Sequence, residues 1–379
     1  MYFRLDEATP GLAEPLPPPA PDSPVAARFV QAGRGRFCTP GQAHTECATI
    51  AAPRAIRRIV IHALSSGGLH DCVHFGTVGD QVRAWQRAAP NPPGFGSSAH
   101  YLVDRDGTVT QMVREADDSF HALADNPDTI GIEHADICNK PDAYTTALYE
   151  ASAALVRDIA RRNNIAIRVF GIDTGNVRDA TVVGHSTIDP VNRDDPGPYW
   201  DWEYYAQLLR WDGATQRSRP HRLVATAAGA AVPAGWQARR RVDVAGENRD
   251  CIPNAFCAQP RHSYGDSYWR AKANTPGSDV VFALGVGVPG RYKVSLWWPQ
   301  VTGANASTVV SAEAQKGGGP ARGNGELDQT RNFGRWNDLG VPFTFDVPGG
   351  GARVTVRVRR ASRNAGWVLA DAVRLLKVG

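Results

Sequence analysis

The chain reads as an α/β unit followed by an all-β sandwich, and three observations carry that reading. Between about residues 56 and 211, short apolar runs alternate with stretches of helical periodicity, the pattern of a sheet with helices packed on it. From about residue 280 to the C-terminus, only strand-like runs appear, separated by Gly, Pro and Asn clusters, as in a sandwich. Between them, residues 213–240 are rich in Ala, Gly and Arg and lack periodicity. The expected division is a Pro-rich leader at 1–35, a first unit at 36–212, a linker at 213–240 and a β-sandwich at 241–379. A chain of 379 residues is long enough for two separate cores.

The leader holds Pro15, Pro17, Pro18, Pro19, Pro21 and Pro24, which favour polyproline II and a spacing role. Ile56–His62, bounded by Pro53, predicts a buried strand, and the Gly- and His-rich stretch 63–77 predicts a loop. A short helix is expected over 79–88, with Val82, Trp85 and Ala89 on one face and prolines at 90, 92 and 93 to stop it. Residues 99–104 and 108–113 form a hairpin pattern around Asp104-Arg105-Asp106-Gly107. A strand at 129–134 (TIGIEH) precedes an amphipathic helix over 142–162, with Tyr144, Leu148, Ala151, Leu155 and Ile159 at helical spacing. Strands at 165–170 and 181–183 and a helix at 201–211 complete the unit. In the second unit, strands are expected at 280–288, 290–298, 308–314, 341–347, 352–359 and 367–376.

A hydrophobic fraction of 42% and a charged fraction of 21% are those of a soluble globular protein. No apolar run reaches the length of a membrane span. The net charge of +4 tolerates an anionic polymer as substrate and gives no sign of nucleic acid. The opening residues carry acids early and lack an apolar core of signal-peptide length. Six cysteines include two close pairs, Cys38 with Cys47 and Cys251 with Cys257. Disulfides there would pin loops and point to an oxidising compartment.

Chemistry concentrates in residues 181–200, TVVGHSTIDPVNRDDPGPYW. A short apolar run ends at Gly184-His185, and Asp195 follows in an Asp-Pro-Gly turn. With His62, at the end of its strand, His185 and Asp195 make a two-nitrogen, one-oxygen set, which suits a catalytic Zn2+ with three protein ligands and one open position. Glu133, ending a strand that can run beside that of His62, has the chemistry of a general base. Arg193 can stabilise an oxyanion over the same centre. Each residue also has a bland reading: a structural histidine, a turn aspartate, a solvated carboxylate. Asp194 rivals Asp195 by adjacency. His70 and His74 are spaced as a helical pair, but Gly67, Gly68 and Gly76 argue against a helix there.

Residues from about Arg57 to Leu209 resemble the zinc-dependent N-acetylmuramoyl-L-alanine amidases of type 2, relatives of the peptidoglycan recognition proteins. Four pieces match in order: IVIH at 59–62, SAHYLVDRDGTVTQMV at 98–113, FHALADNPDTIGIE at 120–133 and GHSTIDPVNRDDPGPYW at 184–200. The resemblance implies a central mixed sheet flanked by helices, with zinc held by His62, His185 and Asp195, the DPG motif selecting Asp195 over Asp194. It places the catalytic glutamate at Glu133. The family's lysine near the metal falls on Arg193, a change that keeps charge but alters shape and hydrogen bonding. Two further departures are Ala63, where many relatives have another histidine, and an insert at 67–75. His100 and His121 match family positions and read as support for the site. The implied reaction is hydrolysis of the amide between N-acetylmuramic acid and L-alanine of the stem peptide. The implied partner is peptidoglycan, both glycan strand and stem peptide. The expected setting is secreted or the cell envelope, the expected form a monomer. The competing readings are a non-catalytic peptidoglycan-binding protein on the same scaffold and a zinc hydrolase acting on another amide.

From about Arg241 onward, YKVSLWWP at 292–299, RWNDLGVPFTF at 335–345 and WVLADAVRLL at 367–376 resemble the golvesin-type, lyase-associated carbohydrate-binding-like domains. Trp297, Trp298, Trp336 and Trp367 either stack on sugar rings or serve as core aromatics. In the first case the domain would hold the enzyme on the cell wall and raise local substrate concentration.

Overall fold

The computed structural model describes residues 19–39, 53–64, 77–89, 96–136, 143–193, 195–211, 219–227, 230–240, 263–264, 267–315, 321–339, 344–347 and 351–378. The first strands are β1 (Arg28–Phe29), β2 (Phe37–Cys38) and β3 (Arg58–Ala63). After helix α1 (Val78–Gln86) come β4 (Tyr101–Val103), β5 (Val109–Gln111) and β6 (Asp118–Ser119). A 3-10 turn at Leu123–Asp128 leads into β7 (Thr129–His134), and helix α2 (Thr146–Arg162) into β8 (Val182–Gly184). The short α3 (His185–Ile188) and α4 (Trp202–Arg210) close the first unit.

One six-stranded mixed sheet organises this unit, in the order β1-β5-β4-β7-β3-β8. The β4–β7, β7–β3 and β3–β8 pairs are parallel and β4–β5 is antiparallel. The central strands are apolar on both faces: Ile59, Val60, Ile61, Ile130 and Ile132 are fully buried, as parallel strands covered by helices require. The hairpin turn closes by Asp104 N–H donating to Thr108 O at 2.9 Å, with Gly107 at φ +89°, a value that glycine adopts without steric cost. Helix α1 buries Val82 and Trp85 and is capped by Thr77, whose side chain accepts from Asp80 N–H. Helix α2 buries Leu148, Leu155 and Ile159.

Three expectations need correction in detail. No strand forms over 165–170. Val169 makes one parallel bridge to Val182, and a turn between Phe170 and Thr174 with Gly171 at φ +78° ends the pairing. The second half of the expected leader is part of the fold: β1 pairs with β5, and Ala26 and Ala32 are buried. Its extended backbone fills the open edge of β5, with Val30 N–H donating to Gln111 O at 2.8 Å. The expected linker also holds two strands, β9 (Arg222–Thr226) and β10 (Gln237–Arg240). Their Arg-rich sequences hid a role decided by sheet partners.

The remaining strands are β11 (Ser267–Lys272), β12 (Val280–Val286), β13 (Gly290–Trp297), β14 (Thr308–Gln315), β15 (Ala321–Leu327) and β16 (Asn337–Asp338). They are followed by β17 (Thr344–Val347), β18 (Ala352–Ser362), β19 (Trp367–Ala370) and β20 (Ala372–Lys377). They form the sheets β12-β18-β14-β15 and β10-β11-β19 and a five-stranded one, β16-β13-β20-β9 with β17 also paired to β13. Strand β12 alternates buried and exposed residues along its length, the signature of a sheet with one face on a core. The run expected as one strand at 367–376 breaks at Asp371, whose carboxylate accepts from Tyr264 N–H at 2.9 Å while its carbonyl accepts from Ala227 N–H at 2.7 Å. The chain thereby passes from the three-stranded sheet to the five-stranded one.

Of the two readings of the tryptophans, the core reading holds for Trp297 and Trp298. Trp297 and Trp298 are 2% and 1% exposed. Trp336 packs against Trp297 and Tyr264, and the Trp367 ring is covered by Arg270 and Lys272. Cys38 is disulfide-bonded, whereas Cys47, Cys251 and Cys257 lie outside the described residues, as do His70, His74 and the 67–75 insert.

Candidate metal centre and its surroundings

Sheet register assembles the site. Strands β3 and β7 run parallel with His62 opposite Glu133, and β3 and β8 run parallel with Ile61 opposite Gly184. All three strands therefore end at one edge, where His62, Glu133 and His185 emerge. The carboxyl ends of parallel strands are the usual place for a site in such sheets. Asp195 returns to this edge because its carbonyl accepts from Ser186 N–H at 2.9 Å. Gly184 permits the approach: a Cβ there would lie 2.8 Å from Pro196 Cδ.

His62 Nδ1 lies 2.9 Å from Asp195 Oδ2, and His185 Nδ1 lies 3.2 Å from Asp195 Oδ1. Ligand atoms of these three buried residues all fall within 4.8 Å of one another. Burial by itself would raise the Asp195 carboxyl, but the hydrogen bonds and charge of His185 and His62 outweigh it and hold the group below the usual carboxylate range. Burial pushes the His62 imidazole down to about 4, against the pull of Asp195. A neutral imidazole with a carboxylate is the state in which such ligands bind a cation.

Glu133 is half-buried as a residue, but its Oε2 is sealed from solvent and has no hydrogen-bond partner. Burial pushes its carboxyl well above the ordinary value; Asp195 and Asp136 add to the shift and Arg193 opposes it. Arg193 is partly buried, with its Nε lacking a partner. Asp194 lies outside the described residues.

Behind His62 stands a hydrogen-bonded set of side chains. His62 Nε2 is 3.0 Å from His121 Nδ1, and His121 Nε2 is 3.1 Å from Thr129 Oγ1, which donates to Asp125 O at 2.6 Å. His62 thus meets His121 through Nε2 and turns Nδ1 toward Asp195, the usual arrangement behind a metal-binding histidine. Gly131 makes room for His121: a Cβ there would lie 2.5 Å from its Cγ. His100 is one layer further back, its Nδ1 accepting from Gly131 N–H at 3.1 Å.

Two supporting residues carried little signal in the sequence. His134 places Nδ1 2.8 Å from His62 O and Nε2 2.7 Å from Ser152 Oγ; strand alternation puts it opposite in facing to Glu133, which is the one clue available. Arg54, with a side chain 1% exposed, donates to the carbonyls of Glu115, Asn126, Pro127 and Thr129. It fastens the segment that presents His121.

The first unit is similar to known amidases. A family model for N-acetylmuramoyl-L-alanine amidase matches residues 52–198. The N-acetylmuramoyl-L-alanine amidase A of Achromobacter lyticus is 38% identical over 129 residues, which are 32% of this chain and 73% of that protein. This chain belongs to the N-acetylmuramoyl-L-alanine amidase family. The 1,6-anhydro-N-acetylmuramyl-L-alanine amidase AmpD of Haemophilus influenzae is 30% identical over 121 residues, 30% of this amidase and 59% of that protein. The second unit of the amidase matches the golvesin C-terminal domain over residues 257–377. Among solved structures, a Paenibacillus xanthan lyase is 26% identical with a TM-score of 0.29, covering 42% of this chain and 13% of the lyase. The family is generally zinc-dependent, and the buried His62, His185 and Asp195 group suits that metal in donor type and number. Among the described residues, no helix is long and apolar enough to cross a membrane.

Proposed function

We propose that this amidase hydrolyses the amide joining the lactyl group of N-acetylmuramic acid to L-alanine of the peptidoglycan stem peptide. His62, His185 and Asp195 would hold Zn2+, which when bound acts as a Lewis acid and lowers the pKa of a water. The observation that carries the reading is the sealed Glu133 carboxyl beside that group, with Oε2 unpartnered and its pKa raised. A carboxyl displaced toward neutrality is suited to take a proton and return it. Glu133 removes the proton from water as its oxygen attacks the carbonyl carbon, then delivers it to the alanine nitrogen as the C–N bond breaks. The Arg193 guanidinium stands near the oxygen that gains negative charge.

The substrate places the reaction in the cell envelope or outside the cell, and a single chain supplies every residue named. By this reading the golvesin-like unit offers a glycan contact on a surface other than the buried Trp297 and Trp298. The test incubates the purified chain with muropeptides, with and without a chelator. Release of free stem peptide that stops with chelator is expected. Binding without release would make the protein a receptor, and cleavage within the peptide alone would make it a peptidase.

A further inference from the structure

The segment from Asp195 to Asp201 is a short strap between the metal centre and the golvesin-like unit. Pro196 and Pro198 restrict its backbone, and it is fastened along its length. The Asp195 carbonyl accepts from Ser186 N–H, and the Pro196 carbonyl accepts from Tyr144 OH at 2.6 Å. Tyr199 donates to Ser263 O at 2.8 Å, and its ring stacks on Trp297 with centroids 5.8 Å apart. Asp201 caps α4 by accepting from Tyr204 N–H at 3.1 Å, and its own N–H donates to Tyr149 OH at 2.7 Å.

The far end of the strap is held by arginines from beyond the first unit. Arg374, central in the five-stranded sheet and with a side chain 2% exposed, donates to Asp201 Oδ1 at 2.7 Å and to Glu203 Oε2 at 2.7 Å. Ser295 Oγ accepts from the same guanidinium at 2.9 Å. Arg222 on β9 donates to Asp201 Oδ2 at 3.3 Å and to Tyr144 O at 3.4 Å. Tyr144 is the residue that holds Pro196, so Arg222 meets one end of the strap directly and the other through Tyr144.

We propose that Arg374 is a positioning residue of the metal centre, and that the golvesin-like unit is a fixed part of the amidase site rather than a tethered module. Without Arg374, Asp201 would keep only Arg222 and Glu203 only Lys293 as counter-charge, leaving a buried carboxylate undercompensated and the strap bearing Asp195 held less firmly at its far end. The proposal rests on His62, His185 and Asp195 being the metal ligands.

The experiment uses the full chain and four proteins: wild type, Arg374→Met, Arg374→Lys, and Val356→Ala as a control. Val356 is buried on β18, in the other sheet, and pairs with Ala312 and Phe282 away from the strap. Zinc affinity is measured by competition with a chromophoric chelator, and the Co2+-loaded proteins are compared by visible absorption. We expect Arg374→Met to bind zinc about 10- to 100-fold more weakly, the range for residues that orient metal ligands, with an altered cobalt spectrum. Arg374→Lys should recover part of the affinity, and Val356→Ala should keep all of it despite lower stability. Wild-type affinity and spectrum in Arg374→Met would overturn the proposal, whatever its melting temperature. If that variant does not fold, Tyr199→Phe removes only the hydroxyl bonded to Ser263; weaker zinc binding supports the strap, and unchanged binding sinks it. Wild type binding no metal would instead overturn the ligand assignment, and this inference with it.

Discussion

Two buried polar clusters lie at the two ends of the same strap, and they are built on opposite principles. Around Asp195, atoms sealed from solvent lack partners: Glu133 Oε2, His185 Nε2 and Arg193 Nε. Around Asp201, both carboxylate oxygens are met by arginine and the amide is taken by Tyr149, leaving Arg374 Nε and the neighbouring Trp200 Nε1 without partners. An unmet buried polar group costs stability unless something arrives to satisfy it. The first cluster is therefore shaped for a ligand, and the second for holding the protein together.

The contrast can be broken by removing charge from each cluster. Glu133→Gln should lower kcat by about 10²- to 10⁴-fold, the usual worth of a general base, while leaving zinc content and urea stability intact or improved. Loss of stability parallel to the loss of rate would assign Glu133 to the structural class. Asp201→Ala should act first on stability, costing about 3–5 kcal/mol in urea unfolding because Arg374 and Arg222 lose a buried counter-charge, with zinc binding weakened through the loosened strap. A change below about 1 kcal/mol, the scale of an exposed pair, would show that the second cluster is not the staple described.

The smallest effect sharpens the boundary between the two classes. His100 stands behind the site, and burial, with the nearby Arg54 charge, lowers its pKa well below the ordinary value. The unfolded chain takes up a proton there below about pH 6.5 and the folded chain does not. Stability should therefore fall as pH drops below that value, by up to about 1.4 kcal/mol per pH unit. His100→Gln should flatten this slope by up to one proton, read from urea unfolding across pH 4.5 to 7; an unchanged slope would mean that His100 is protonated in the fold.

Most of the site was legible because it sits on the most regular part of the chain. IVIH and TIGIEH are short buried strands whose ends are visible in the sequence, so His62 and Glu133 could be placed at one edge, and GHS and DPG mark the turns carrying His185 and Asp195. The residues that support them were not legible. Arg54, His134 and Arg374 look like any surface arginine or histidine until the fold surrounds them. The tryptophans stayed open for a related reason: aromatic character does not tell a sugar platform from a core, and Trp297 was taken inside by Tyr199 from another part of the chain.

What the sequence determined by itself is local: the apolar alternation of each strand, the turn at Asp104–Gly107, the helical faces of α1, α2 and α4, and the histidine and carboxylate side chains at strand ends. What the tertiary structure decided is how distant pieces close on each other. The break at Asp371, the strands at 222–226 and 237–240, the edge strand from the leader and the grip of Arg374 on Asp201 all depend on partners far away in sequence. Periodicity and turn chemistry are properties of neighbours along the chain. Hydrogen-bond satisfaction and charge pairing in a buried interior are settled only when remote segments meet.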